Sequence, residues 1–125
     1  MADDSHVPPK AVQAVASRAL ELRREHGRGG LSTQEAGKQG IGSGVARAAT
    51  LAAGKGISLD TAKRMVAYFS RHAKDKDAEG FRQGEKGYPS AGRVAWDLWG
   101  GDAGKAWAEG VVRKAEADRT AALKR

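Results

Sequence analysis

The chain has no cysteine. No disulfide framework or thiolate-held metal can therefore organise it, and a reducing compartment suits it. Aromatic residues are few: three tryptophans, two tyrosines and two phenylalanines in 125 residues. No apolar run approaches the ~20 residues of a membrane span. The first residues, Met1-Ala2-Asp3-Asp4-Ser5-His6, are acidic and lack the apolar core of a secretory signal. The three histidines, His6, His26 and His72, are not spaced as metal ligands, and no metal or cofactor is expected. The serines read as caps or loop residues. Glu21, Glu25, Glu109 and Asp118 alternate with basic residues at helical spacing. With neither a nucleophile beside a base nor a carboxylate pair, an enzyme is not indicated.

Acidic residues are scarcest between Lys38 and Lys76. That segment holds Lys38, Arg47, Lys55, Lys63, Arg64, Arg71, Lys74 and Lys76 against only Asp60 and Asp75. Almost the whole formal excess of +7 lies there. A solvated helix face more often mixes the signs, so a polyanionic partner is expected.

The apolar residues that are present, many of them alanine, recur at three- and four-residue steps. The pattern predicts an all-α compact bundle of about five helices. Val12, Val15, Ala16, Ala19 and Leu22 mark a first helix that starts at Pro8-Pro9 and stops at Gly27. Residues 1–7 read as a disordered tail, 8–112 as a single domain, and 113–125 as a charged, fraying helix end. Seven glycines between 27 and 44 read as a flexible loop. A phosphate-cradling loop fails there, because no Gly-Lys-Ser/Thr follows and position 45 is Val where a dinucleotide fingerprint needs glycine. Ser43 caps a second helix over 44–53 and Ser58 a third, to about His72, with Leu59, Ala62, Met65, Val66 and Phe69 inward. Asp75, Asp77, Glu79 and Gly80 open like a calcium loop, but Lys86 stands where the closing Glu belongs. A solvated loop is the better reading.

Ser90 caps a fourth helix, with Val94, Ala95, Leu98 and Trp99 inward and Trp96 to the side. Gly100-Gly101 ends it. Asp102 then caps a fifth helix, whose stripe is Ala103, Ala106, Trp107 and Val111. Trp99 and Trp107 can meet across the corner. Core packing is the default for these rings, and the alternative is a Trp96 left exposed as an anchor for a protein partner or a stacking surface for single strands.

Helices two and three carry the pattern of a helix-turn-helix. Leu51 and Ala52 end the first helix, Gly56 makes the turn, Ile57 plugs it, Ser58 caps the second helix, and Ala62 and Met65 pack inward. Lys55 departs from the pattern, standing where an apolar residue is usual. The expected outward face is Asp60, Thr61, Lys63, Arg64, Ala67, Tyr68 and Arg71. On this reading Thr61, Lys63 and Arg64 meet base edges, and Arg47, Lys55, Arg71, Lys74 and Lys76 meet phosphates. Ser58 opens the helix where backbone N–H groups could hold one more phosphate. Tyr68 completes the candidate surface. Duplex DNA is the expected partner, ahead of RNA.

The arrangement Gly44-Val45-Ala46-Arg47-Ala48, Leu51-Ala52, Ser58, Arg64-Met65, Phe69, Arg71-His72, then Pro89-Ser90-Ala91-Gly92-Arg93-Val94-Ala95-Trp96-Asp97-Leu98-Trp99-Gly100-Gly101-Asp102-Ala103-Gly104 and Trp107-Ala108 resembles a small helical module of bacteriophage and prophage genomes. That module occurs alone or attached to head-maturation and structural proteins. The resemblance covers roughly residues 8–112, and its second half is the specific part. It departs at the glycine-rich insertion of about residues 30–42 and at Asp97, where an apolar residue is usual. It implies a phage context, in the host cytoplasm or the virion, and a second reading as a structural or interaction module in head assembly. No activity and no site residue comes with it.

Overall fold

Helix α1 (Lys10–His26) is the element on which the others are arranged in the computed structural model, which describes residues 5–27 and 43–123. Its apolar stripe, Val12, Ala16, Ala19 and Leu22, is buried at helical spacing. Pro9 is the N-cap, and its carbonyl accepts from the N–H groups of Val12 and Gln13. Gly27, at φ 63°, ends the helix in the left-handed region and donates to the Arg23 carbonyl at 2.7 Å.

Three further helices start as their serines predict. α2 (Gly44–Ala52), α3 (Leu59–His72) and α4 (Ala91–Leu98) are capped by Ser43, Ser58 and Ser90, each Oγ accepting an N–H three residues on at 3.0–3.1 Å. α3 runs on into a 3-10 turn, Ala73–Asp77. α5 (Gly101–Leu123) is the longest helix. Asp102, expected as its cap, instead lies one residue inside it.

The result is an all-α bundle of five packed helices with no strand among the described residues. α2 packs on α1 and α4, and α3 packs on α5, while α1 also packs on α4 and α5. Small residues, Ala16, Ala19, Ala48, Ala62, Gly104 and Ala108, are buried throughout and let the backbones approach. The bulk of the core comes from Phe69, Leu51, Met65, Leu98 and Trp96. Burying a side chain of that size stabilises by roughly 1.5–3 kcal/mol relative to leaving it in water.

Part of the expected tail is tied down. The N–H of His6 donates to the Ile57 carbonyl and the N–H of Ile57 to the His6 carbonyl, both at 2.8 Å. Ile57 is thereby buried. Residues 1–4, and the glycine-rich loop expected over 27–44 except for its two ends, lie outside the described residues.

The turn between α4 and α5 is the tightest point of the bundle. Gly100 and Gly101 have φ of 108° and 64°. A Cβ on Gly100 would sit 2.8 Å from the Gly104 Cα and 3.2 Å from Val12 Cγ1. Glycine is needed there for both conformation and space. Gly100→Ala should therefore lower unfolding stability by about 2–4 kcal/mol in a urea titration. A loss below about 0.5 kcal/mol would show that the corner relaxes.

Candidate nucleic-acid interface

The exposed arc of α3 consists of Asp60, Lys63, Arg64, Ala67, Ser70 and Arg71, and Lys74 follows in the 3-10 turn. Asp60 is the only acid on the helix and pairs with Arg64, Oδ2 to Nε 3.1 Å, in an exposed bridge. Lys63, Arg71 and Lys74 have no acidic partner among the described residues, and neither does Lys55 in the preceding turn. These four cations are exposed and can reach phosphates, and Arg64 beside them is exposed but bridged to Asp60.

Other candidate residues are placed differently from their expected positions. Tyr68 is not on the outward face but 5% exposed. Its ring stacks on Trp99 at 4.5 Å and 5° and on His72 at 4.5 Å and 28°. The buried arc of α3 is Ala62, Met65, Tyr68 and Phe69, with Leu59 and Val66 only half-buried. The helix is turned relative to its apolar pattern because α4 presents Trp99 beside it. The Tyr68 hydroxyl is buried with no hydrogen-bond partner among the described residues, and burial pushes its pKa up. Thr61 is half-buried, and its hydroxyl accepts from Ser58 Oγ at 3.1 Å, so both side chains are engaged in the cap of α3.

Lys76 is also held. Its Nζ lies 2.8 Å from Asp102 Oδ1 and 5.0 Å from the Trp96 ring centroid. Trp96, expected to the side of its helix, is 2% exposed. Phe69 and Phe81 meet its ring edge-on, and its Nε1 donates to Asp102 at 3.0 Å. The segment after α3 closes over the flank of α4 that the pattern left open, so Trp96 is no anchor for a partner. Asp97 is 8% exposed and bound by Arg93 Nε at 2.9 Å. Burial outweighs Arg93 and raises its pKa. Trp99 faces Tyr68, not Trp107 across the corner; Trp107 lies half-buried in a cleft with His6, Leu59 and Val111.

Arg47, expected to reach outward, lies half-buried on α2 with its guanidinium over Trp99, 5.5 Å from the ring centroid. That contact was not legible in the sequence, because it depends on α2 packing beside α4. The helix-turn-helix has its capping serine and its buried Ile57, but α2 and α3 barely touch. The basic helix is braced by α5 and Trp99, not by the helix before it.

Fold and surface together define a basic five-helix domain with one helix face rich in unpaired cations. No family model matches the chain, and neither a curated protein nor a solved structure matches it. Among the described residues no helix is long and apolar enough to cross a membrane, and no group of three His, Asp or Glu could hold a metal ion.

Two measurements check these placements. Tyr68→Phe removes an unsatisfied buried hydroxyl and should leave stability unchanged or up to about 1 kcal/mol higher, whereas Tyr68→Ala should cost roughly 3–5 kcal/mol. A clear loss in the Phe variant would reveal a partner for the hydroxyl. Asp102 is the acid-sensitive contact. Burial pushes its carboxyl up, but Lys76 and Trp96 outweigh that and hold it below the ordinary 3.8. Its contribution is intact above that pH and lost as pH falls below it. Asp102→Asn should be less stable than wild type at neutral pH, and the gap should close on acidification beneath 3.8. A gap independent of pH would contradict the assignment.

Proposed function

We propose that the chain is a nucleic-acid-binding module of phage type that docks on duplex DNA through the outward face of α3. The observation that carries this reading is the row of Lys63, Arg71 and Lys74 on one exposed face, joined by Arg64 and Lys55 and opposed on the helix by Asp60 alone. Cations gathered on one exposed face can neutralise several phosphates of a duplex at once. The wager on base readout narrows to Lys63 and Arg64, since Thr61 is held in the cap. Affinity on this reading comes mainly from the phosphates, and limited sequence preference follows.

A second reading, a protein-interaction module in phage head assembly, loses Trp96 to the core. It keeps one support, a cleft of about 570 Å³ along α5 lined by His6, Leu59, Trp107 and Val111. The cation face favours the first reading.

The test is a titration of duplex DNA at several salt concentrations. Wild type should show a log–log salt dependence, and replacing Lys63, Arg71 and Lys74 together by alanine should flatten the slope by roughly two to three and weaken binding at least tenfold near 0.1 M salt. Affinity indifferent to salt, or equal in the triple variant, defeats the proposal.

A further inference from the structure

We infer that the cavity between α1, α4 and the start of α5 is a binding site for an oxo-purine base, whose N1–H donates to Asp97 and whose O6 accepts from Arg93. This goes beyond the DNA-binding reading and does not rest on it, because no residue of α3 lines the cavity. The cavity measures about 440 Å³, within the roughly 300–1,000 Å³ of small-molecule sites. Val15 and Leu22 of α1 line it, as do Phe81 and Tyr88 from the segment before α4. Gly101 leaves the space open: a Cβ there would sit 2.8 Å from Val15 Cγ1 and 3.0 Å from Asp97 Oδ1. Gly101, Val15 and Asp97 all line the cavity, which places Oδ1 at its wall.

Asp97 is more than nine-tenths buried, but only one of its oxygens is engaged. Oδ2 accepts from Arg93 Nε, and no group among the described residues donates to Oδ1. A desolvated carboxylate with an unmade acceptor is unfavourable as it stands. Arg93 is held through Nε by Asp97 and through Nη1 by the Phe81 carbonyl, each at 2.9 Å, and its guanidinium lies over both Phe81 and Tyr88. Its Nη2 has no acceptor among the described residues. The pair thus presents a strong acceptor beside a strong donor. An oxo-purine carries the complement, an N–H beside a C=O, on one rigid edge. The other charges at the cavity are also paired, Asp102 with Lys76 and Arg18 with Glu21 and Glu25, so a neutral ring suits it better than an ion. Half-exposed Tyr88 is the ring left to contact the base, because Phe81 and Trp96 are already buried.

The experiment titrates the full chain with inosine in a calorimeter, with 1-methylinosine and adenosine as comparisons. Wild type should bind inosine with a Kd of roughly 0.01–1 mM. 1-Methylinosine lacks the N1–H and adenosine lacks both that N–H and O6, so each should bind at least about tenfold more weakly. Asp97→Asn keeps an acceptor for Arg93 but turns an amide N–H towards the ligand's N1–H, and should weaken inosine at least about tenfold. Tyr88→Ala should weaken it roughly fivefold through lost ring contact. The Lys63/Arg71/Lys74 alanine variant should bind inosine as wild type does, whatever its DNA affinity, so the cavity site and the cation face stand or fall separately. No inosine binding up to about 5 mM, or equal affinity for 1-methylinosine or adenosine, overturns the inference. Inosine binding that survives both cavity substitutions, or that is lost only in the triple variant, overturns it as well. Should Asp97→Asn melt far below wild type, Tyr88→Ala and the wild-type comparison of inosine with 1-methylinosine decide.

Discussion

Trp99 lies flat on Tyr68, and much of the molecule's organisation can be followed outward from that contact. Trp99 is the C-cap of α4 and precedes two positive-φ glycines, Gly100 and Gly101, the second of which starts α5. Its position is therefore set by the sharpest turn in the chain. From there the ring fixes the rotation of α3 by burying Tyr68, and it carries the Arg47 guanidinium from α2. A planar side chain at a rigid corner thus aligns two helices that scarcely touch each other. The basic face of α3 points outward because Tyr68 and Phe69 point in.

The charges divide along the same line. Around α4 and the start of α5, Arg93 binds Asp97, Lys76 binds Asp102, and Lys105 binds Glu109. The first of these is largely removed from water and also carries a hydrogen bond from Arg93 to the Phe81 carbonyl, so it closes a polar network instead of leaving a buried ion alone. On α3 the compensation stops at Asp60. Exposed pairs contribute little to stability, so their absence on α3 costs the fold little while leaving the cations available.

Local chemistry was legible in the sequence, and side-to-side packing was not. The serine caps, Gly27, the Gly100-Gly101 corner and the five-helix architecture follow from residues adjacent in the chain. Helical periodicity errs by one residue step when a helix is covered from two directions. That is why Tyr68 is expected outward and Trp96 to the side: each lies at the edge of its apolar stripe, and each is covered by a neighbour distant in sequence, Trp99 for the first and Phe81 with Lys76 for the second. Lys63, Arg64, Arg71 and Lys74 needed only their own helix and the turn after it, and they stand outward as expected. Arg47 depended on a contact between helices that charge and spacing do not encode.

A chain carrying +7 in 125 residues repels itself, and the excess lies largely in one segment. A polyanion that bound the folded face would lower that repulsion, and by linkage it would stabilise the fold that presents the face. The alanine-rich core makes such a contribution matter, because small side chains bury little apolar area each. Arg47 shows the cost of a cation within that packing: its guanidinium lies over Trp99 where α2 meets α4, and its Nε is buried with no acceptor among the described residues. A buried donor left unmade is unfavourable, so packing alone does not account for an arginine at that position.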